Sequence, residues 1–183
     1  MIKPLQFIPL LFVILLASFK IADKEAIEFS YPKNDKATIS MQGEGFKKFK
    51  KEWRGQDYYY MGDSKNDIIC SVLYFKLNDE EQAATIKQFG NKTSAEIPLI
   101  YFTGGNKAKE KNMERWGKPE DDFNFSQKDI ELGGPTLKQK NMFAYAMFGQ
   151  DLFVKVHLSK LPCSAADSTE MRAMLQSLVK KVK

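Results

Sequence analysis

Apolar and polar positions alternate along much of this chain, and helical spacing is confined to short stretches and the C-terminal end, a pattern that predicts a sheet-rich domain with few helices. Residues 26–31 and 37–42 read as strands on either side of the turn-prone Pro32-Lys33-Asn34-Asp35, which predicts a hairpin. Residues 56–61 and 67–77 predict a second pair around Gly62-Asp63-Ser64-Lys65-Asn66. The later strand contains IICSVLYFKL, whose β-branched and aromatic content suits a central position. Asn78 then opens N-D-E-E, with Glu81 three residues on to reciprocate the cap, so a helix is expected over 79–89, ended by Gly90.

In the middle, the pattern predicts a strand over 97–103, a helix over 107–116 stopped by Gly117 and Pro119, and a loop with a short strand over 123–132. Residues 138–148 and 151–159 are strand-like runs joined through Gly149-Gln150, which predicts a tight hairpin. After Pro162, Asp167 and Glu170 are read as a capping box. Met171, Met174, Leu175, Leu178, Val179 and Val182 recur at helical spacing, with Lys180, Lys181 and Lys183 placed to suit the C-terminal dipole. The expected fold is α+β: an antiparallel sheet covered by helices, with a C-terminal amphipathic helix packed on it.

The N-terminus changes the picture. Residues 7–19, FIPLLFVILLASF, form an uncharged run between Lys3 and Lys20. A membrane-spanning helix needs about 20 apolar residues, whereas a signal h-region needs about 7–15 behind a positive n-region, and this run fits the shorter class. The other readings are an uncleaved membrane anchor and a buried core helix, the latter disfavoured by Pro4 and Pro9. Cleavage after Ala17 or Ser18 is expected, giving a signal peptide over 1–18 and a single domain over 19–183 that is secreted or periplasmic. No cysteine follows the run closely enough for lipid attachment there.

About 160 residues then remain, the usual size of one domain. The formal charge of +5 is too small to imply nucleic acid, and acids and bases are mixed throughout. Cys70 and Cys163 are compatible with one disulfide in an oxidising compartment and equally with two buried thiols. With a single histidine and no CxxC, the ligand set for zinc is missing, so no metal and no cofactor is expected. In a source that secretes through an endoplasmic reticulum, Asn91-Lys92-Thr93 and Asn124-Phe125-Ser126 are glycosylation acceptors.

Two aromatic clusters stand out. In Phe46-Lys47-Lys48-Phe49-Lys50-Lys51-Glu52-Trp53, a helix would line Phe46, Phe49 and Trp53 along one side and surround them with Lys47, Lys48, Lys50 and Lys51. Such a segment suits a lipid interface or an acidic partner; the plainer reading packs its aromatics on the sheet and leaves the lysines in water. In a strand, Tyr58 and Tyr60 share a face and Tyr59 takes the other, so Tyr58 and Tyr60 are either a platform for a glycan, peptide or protein, or core residues with wet hydroxyls. Any conventional Ser-His or Cys-His mechanism must use His157, the lone histidine, which shares a strand face with Phe153, Lys155 and Ser159. No G-x-S-x-G or phosphate loop is present.

Phe29-Ser30-Tyr31-Pro32, Phe153-Val154-Lys155-Val156-His157-Leu158 and the closing helix with Gln176-Ser177-Leu178 resemble the PsbP-like α/β/α sandwich family at the two ends of the chain. The resemblance implies a non-enzymatic extracytoplasmic binding or assembly role and carries over no site residue. The sequence therefore points to an exported, non-enzymatic domain that binds or supports an unidentified protein, glycan or membrane-surface partner through Phe46 to Trp53, Tyr58 and Tyr60. The alternative is a small hydrolase or thiol enzyme built on His157 and Cys163.

Overall fold

The computed structural model describes residues 25–43, 45–46, 48–63, 66–104, 113–132 and 138–181. The apolar segment at the N-terminus and Lys47 lie outside them. The first hairpin forms as its pattern requires, β1 (Ala26–Tyr31) pairing antiparallel with β2 (Asn34–Gln42). Next, β3 (Lys50–Arg54) and β4 (Asp57–Asp63) are joined by Gly55-Gln56, where Gly55 takes φ 65°, the left-handed backbone that such a turn demands. The conditional helical reading of 46–53 therefore fails over Lys50–Arg54, which are strand. Alternation through Lys51 and Trp53 matches Tyr60 and Tyr58 across this turn, and cross-strand pairing prevails over a short helical stripe.

β5 (Ile69–Lys76) is central, as its composition predicts, lying between β4 and β9 (Leu152–Lys160). Helix α1 (Asp79–Phe89) begins and ends where the sequence places it, with Asn78 and Glu81 forming the reciprocal capping box and Gly90 closing the helix. Residues 97–103 depart from expectation, since α2 (Glu96–Thr103) is a helix. Pro98 sits in its first turn, where a missing N–H costs nothing, and Gly104 ends it with φ 77°; these signals outweigh the strand-like composition of IPLIYFT.

The helix expected over 107–116 is corrected at its end, where β6 (Met113–Trp116) is an edge strand; 107–112 lie outside the described residues. β7 (Asn124–Glu131) is a full strand, and β8 (Lys138–Phe148) pairs with β9 through a three-residue connection that includes Asp151, one longer than predicted. α3 (Ala165–Gln176) is capped by Ser164 and Asp167, one frame upstream of the expected Asp167 and Glu170. It stops at Gln176. Leu178 is buried in the linker, and β10 (Val179–Lys181) pairs with β2, so Lys180 and Lys181 do not serve a helix dipole but pair with Asp122 and Glu28.

The architecture is mixed α+β with two antiparallel sheets: a seven-stranded sheet ordered β3-β4-β5-β9-β8-β7-β6 and a three-stranded sheet ordered β1-β2-β10. Strand alternation gives the large sheet two faces of different fate. Its inner face sends Tyr60, Val72, Tyr74, Val154, Val156 and Leu158 into one core with Phe29, Ile39 and Met41 of the small sheet and Met171, Met174 and Leu175 of α3. The outer face carries Phe75, Phe153, Tyr145 and Phe143, which α2 covers with Ile97, Leu99 and Phe102.

Candidate functional site

Most of the aromatic segment named from sequence serves the core. Tyr60 is buried, donates to Ser30 O at 2.6 Å and accepts from Ser30 N at 3.2 Å, so its hydroxyl joins two parts of the core. Tyr58 is buried beside it, with ring centroids 5.1 Å apart. Phe46 and Phe49 are partly buried against the same cluster, Phe49 meeting Phe29 edge-on at 4.9 Å. Trp53 stays 41% exposed, with Tyr58 on one side and Lys33 Nζ 4.7 Å above its ring. Tyr58 and Tyr60 therefore offer no aromatic platform. Trp53 and the exposed Lys48, Lys50 and Lys51 remain at the surface.

The site worth building lies on the outer face of the large sheet, beyond the cover of α2. Register places Met61, Ser71, His157, Phe143 and Ser126 side by side across β4, β5, β9, β8 and β7. The adjoining row places Lys155 between Leu73 and Tyr145. On the far side, Ile69, Ser159, Asn141 and Lys128 form a third. Met61 is 44% exposed and Ile69 51% exposed, a pair of large apolar side chains standing in water on the same face.

At its centre His157 lies flat on Phe143, with centroids 4.5 Å apart and planes 11° apart, and its Nε2 is 2.9 Å from Asn141 Oδ1. Burial first, then the charges of Lys155 and Lys128, push the imidazole down to about 4, so it is neutral at ordinary pH. A neutral ring facing an amide oxygen carries its proton on Nε2 and donates it there, which leaves Nδ1 as an acceptor. Lys155 is half-buried, its Nζ 5.2 Å from the ring of Phe102 and 5.0 Å from that of Phe143. Burial and the charge of Lys128 lower its affinity for the proton.

The two residues of the thiol alternative are not brought together. Cys163 packs against the main core ahead of α3 and donates to Ser164 O at 3.4 Å, whereas His157 points from the outer face. Burial and Asp167 raise the Cys163 thiol, the wrong direction for a nucleophile. Cys70 is fully buried, and both cysteines are free thiols.

No known family model matches this chain, and no curated protein matches it.

Among the described residues, no group of three His, Cys, Asp or Glu side chains is placed to hold a metal, and no helix is long and apolar enough to cross a membrane. Asn124, named above as a glycan acceptor, is only 7% exposed, and its amide donates to Lys118 O at 3.1 Å. Its place in β7 leaves no room for a glycan. Alternation alone places His157 and Lys155 on one face and predicts the β8–β9 hairpin, but the hairpin register that sets Phe143 and Asn141 beside them, and the β7 pairing that adds Lys128, are visible only in the structure.

Proposed function

We propose that the protein is an exported, non-enzymatic domain that binds or supports a partner through the outer face of its large sheet, between α2 and β4. The observation that carries this reading is the exposure of Met61 and Ile69 beside the half-buried Lys155 and His157. Apolar side chains grouped on an uncovered sheet face, mixed with polar and charged ones, are what a partner surface buries. Lys50 stands opposite Met61 and extends the face toward the lysine-rich segment, whereas Trp53, opposite Tyr58, is turned to the other face.

Export rests on the short apolar run between Lys3 and Lys20, and an assembly-support role agrees with the PsbP-like resemblance at both ends of the chain. A non-catalytic role for His157 agrees with its surroundings: a base that takes up its proton only near pH 4 and already faces an amide is poorly matched to proton transfer at neutral pH. The test is capture of partners from the natural source on immobilised protein. Met61→Asp with Ile69→Asp is expected to abolish capture and Ala173→Asp, exposed on α3, to preserve it. The opposite pattern, with both variants folded, would overturn the proposal.

A further inference from the structure

Half-buried lysines elsewhere among the described residues are paired, whereas those without an ion pair, such as Lys36, Lys87 and Lys92, are exposed. Lys140 meets Asp129 at 3.0 Å, Lys160 meets Asp167 at 2.9 Å and Lys180 meets Asp122 at 3.1 Å, while Lys76 and Lys181 bond Asp151 and Glu28. Lys155 and Lys128 differ. Neither has a salt-bridge partner among the described residues. The reason lies in the sequence of the face itself. By register, β5, β9, β8, β7 and β6 turn Ile69, Ser71, Lys155, His157, Asn141, Lys128 and their neighbours outward, and none of the outward positions on these strands is Asp or Glu; the acid at the rim of the face is Asp63 of β4, opposite Ile69. The acids of β7, Asp129 and Glu131, alternate to the other face, where Lys140 and Lys138 meet them.

We infer that this face docks an acidic, partly apolar protein segment, with a carboxylate seated at Lys155, a second near Lys128, and apolar side chains resting on Met61 and Ile69. The inference rests on the outer face being the binding surface and adds the chemistry of what it binds. A half-buried ammonium with only ring faces beside it has lost water without gaining an anion, so a carboxylate arriving there recovers interaction that solvent no longer supplies. From Met61 on β4 to Lys128 on β7 the surface crosses four strand spacings, about 19 Å, wider than one small anion and suited to a chain segment. A lipid surface fits less well, since Lys155 is recessed between Phe102 and Phe143 where a protruding side chain reaches it and a planar array of headgroups does not.

The test uses a capped synthetic peptide of about 12 residues, Glu with interspersed Leu, titrated into the ¹⁵N-labelled protein and followed by amide shifts. Shifts centred on Lys155, His157, Lys128 and Ile69 are expected. Affinity should fall about tenfold in the Lys155→Met, Lys128→Met double variant, fall as salt rises from about 50 to about 200 mM, and stay unchanged in Lys181→Met. The same peptide with Lys in place of Glu should not bind.

Equal affinity in wild type and the double variant, or shifts confined to another face, would overturn the inference. Flotation with phosphatidylglycerol vesicles that depends on Lys155 and Lys128, without peptide binding, would overturn it in favour of a membrane. Failure of the peptide together with loss of natural-partner capture in the Met61→Asp, Ile69→Asp variant would reject the acidic chemistry and leave the binding face standing.

Discussion

The His157 imidazole and the Phe143 ring are stacked 4.5 Å apart on neighbouring strands, and this contact explains why a histidine on an outer sheet face remains neutral. One side of the imidazole is dry, Asn141 Oδ1 accepts a hydrogen bond from its Nε2, and two lysines oppose a positive charge on the ring.

Stability should therefore depend on pH through this residue. The folded-state value near 4 lies below the ordinary 6.5, so from pH 6.5 down to pH 4 the unfolded chain takes up a proton that the folded chain refuses. Stability is lost on acidification across that window, by roughly 3 kcal/mol from this group at its lower end. Denaturant midpoints measured between pH 7 and pH 4 should fall less steeply for His157→Gln than for wild type. Parallel slopes would show that His157 titrates as an exposed residue does.

A second effect appears at more acid pH. Asp167 is held down to about 2 by hydrogen bonds from Lys160 and Ser164, so its contribution is complete above its ordinary 3.8 and is lost as pH falls toward 2. At neutral pH, Ser164→Ala removes one half of the capping box and should cost about 1 kcal/mol. An unchanged thermal midpoint would mean that the cap does not hold α3.

Leu175 is fully buried where α3 meets both sheets. Leu175→Ala should cost about 2–5 kcal/mol by chemical denaturation, the range for emptying a packed leucine site. A loss below about 1 kcal/mol would show that α3 is not docked on the core.

Tyr60 separates core from surface in the aromatic cluster. Tyr60→Phe leaves Ser30 N and O without their partner and should destabilise the fold by about 1–3 kcal/mol while leaving partner capture unchanged. Weakened capture at full stability would return Tyr60 to the binding surface.

Local chemistry made much of this fold legible. Asn78 with Glu81 and Gly90 fixed α1 to the residue, and alternation located β1, β4, β5, β8 and β9. The failures share a cause. IPLIYFT has strand-like composition but folds as α2 because the outer sheet face needs an apolar cover, and Pro98 with Gly104 was the signal that marked its ends. Val179 to Lys181 continue a helical pattern yet pair with β2, a partner more than 100 residues away in the chain that local periodicity cannot detect. Gly55-Gln56 was the one local sign that Lys51 and Trp53 return onto Tyr60 and Tyr58. The open face was the least legible feature, since its rows combine residues from β4 to β9 and the lack of outward carboxylates on β5, β9, β8, β7 and β6 emerges only from the register.

The central claim is that the outer face of the large sheet is where the partner sits, and photo-crosslinking in the natural source tests it most directly. A benzophenone amino acid placed at Met61 or Ile69 should yield one common crosslinked partner. The same probe at Ala166 or Ala173, exposed on α3 across the molecule, should yield none. Crosslinking of that partner from α3 with silence at Met61 and Ile69 would contradict the account.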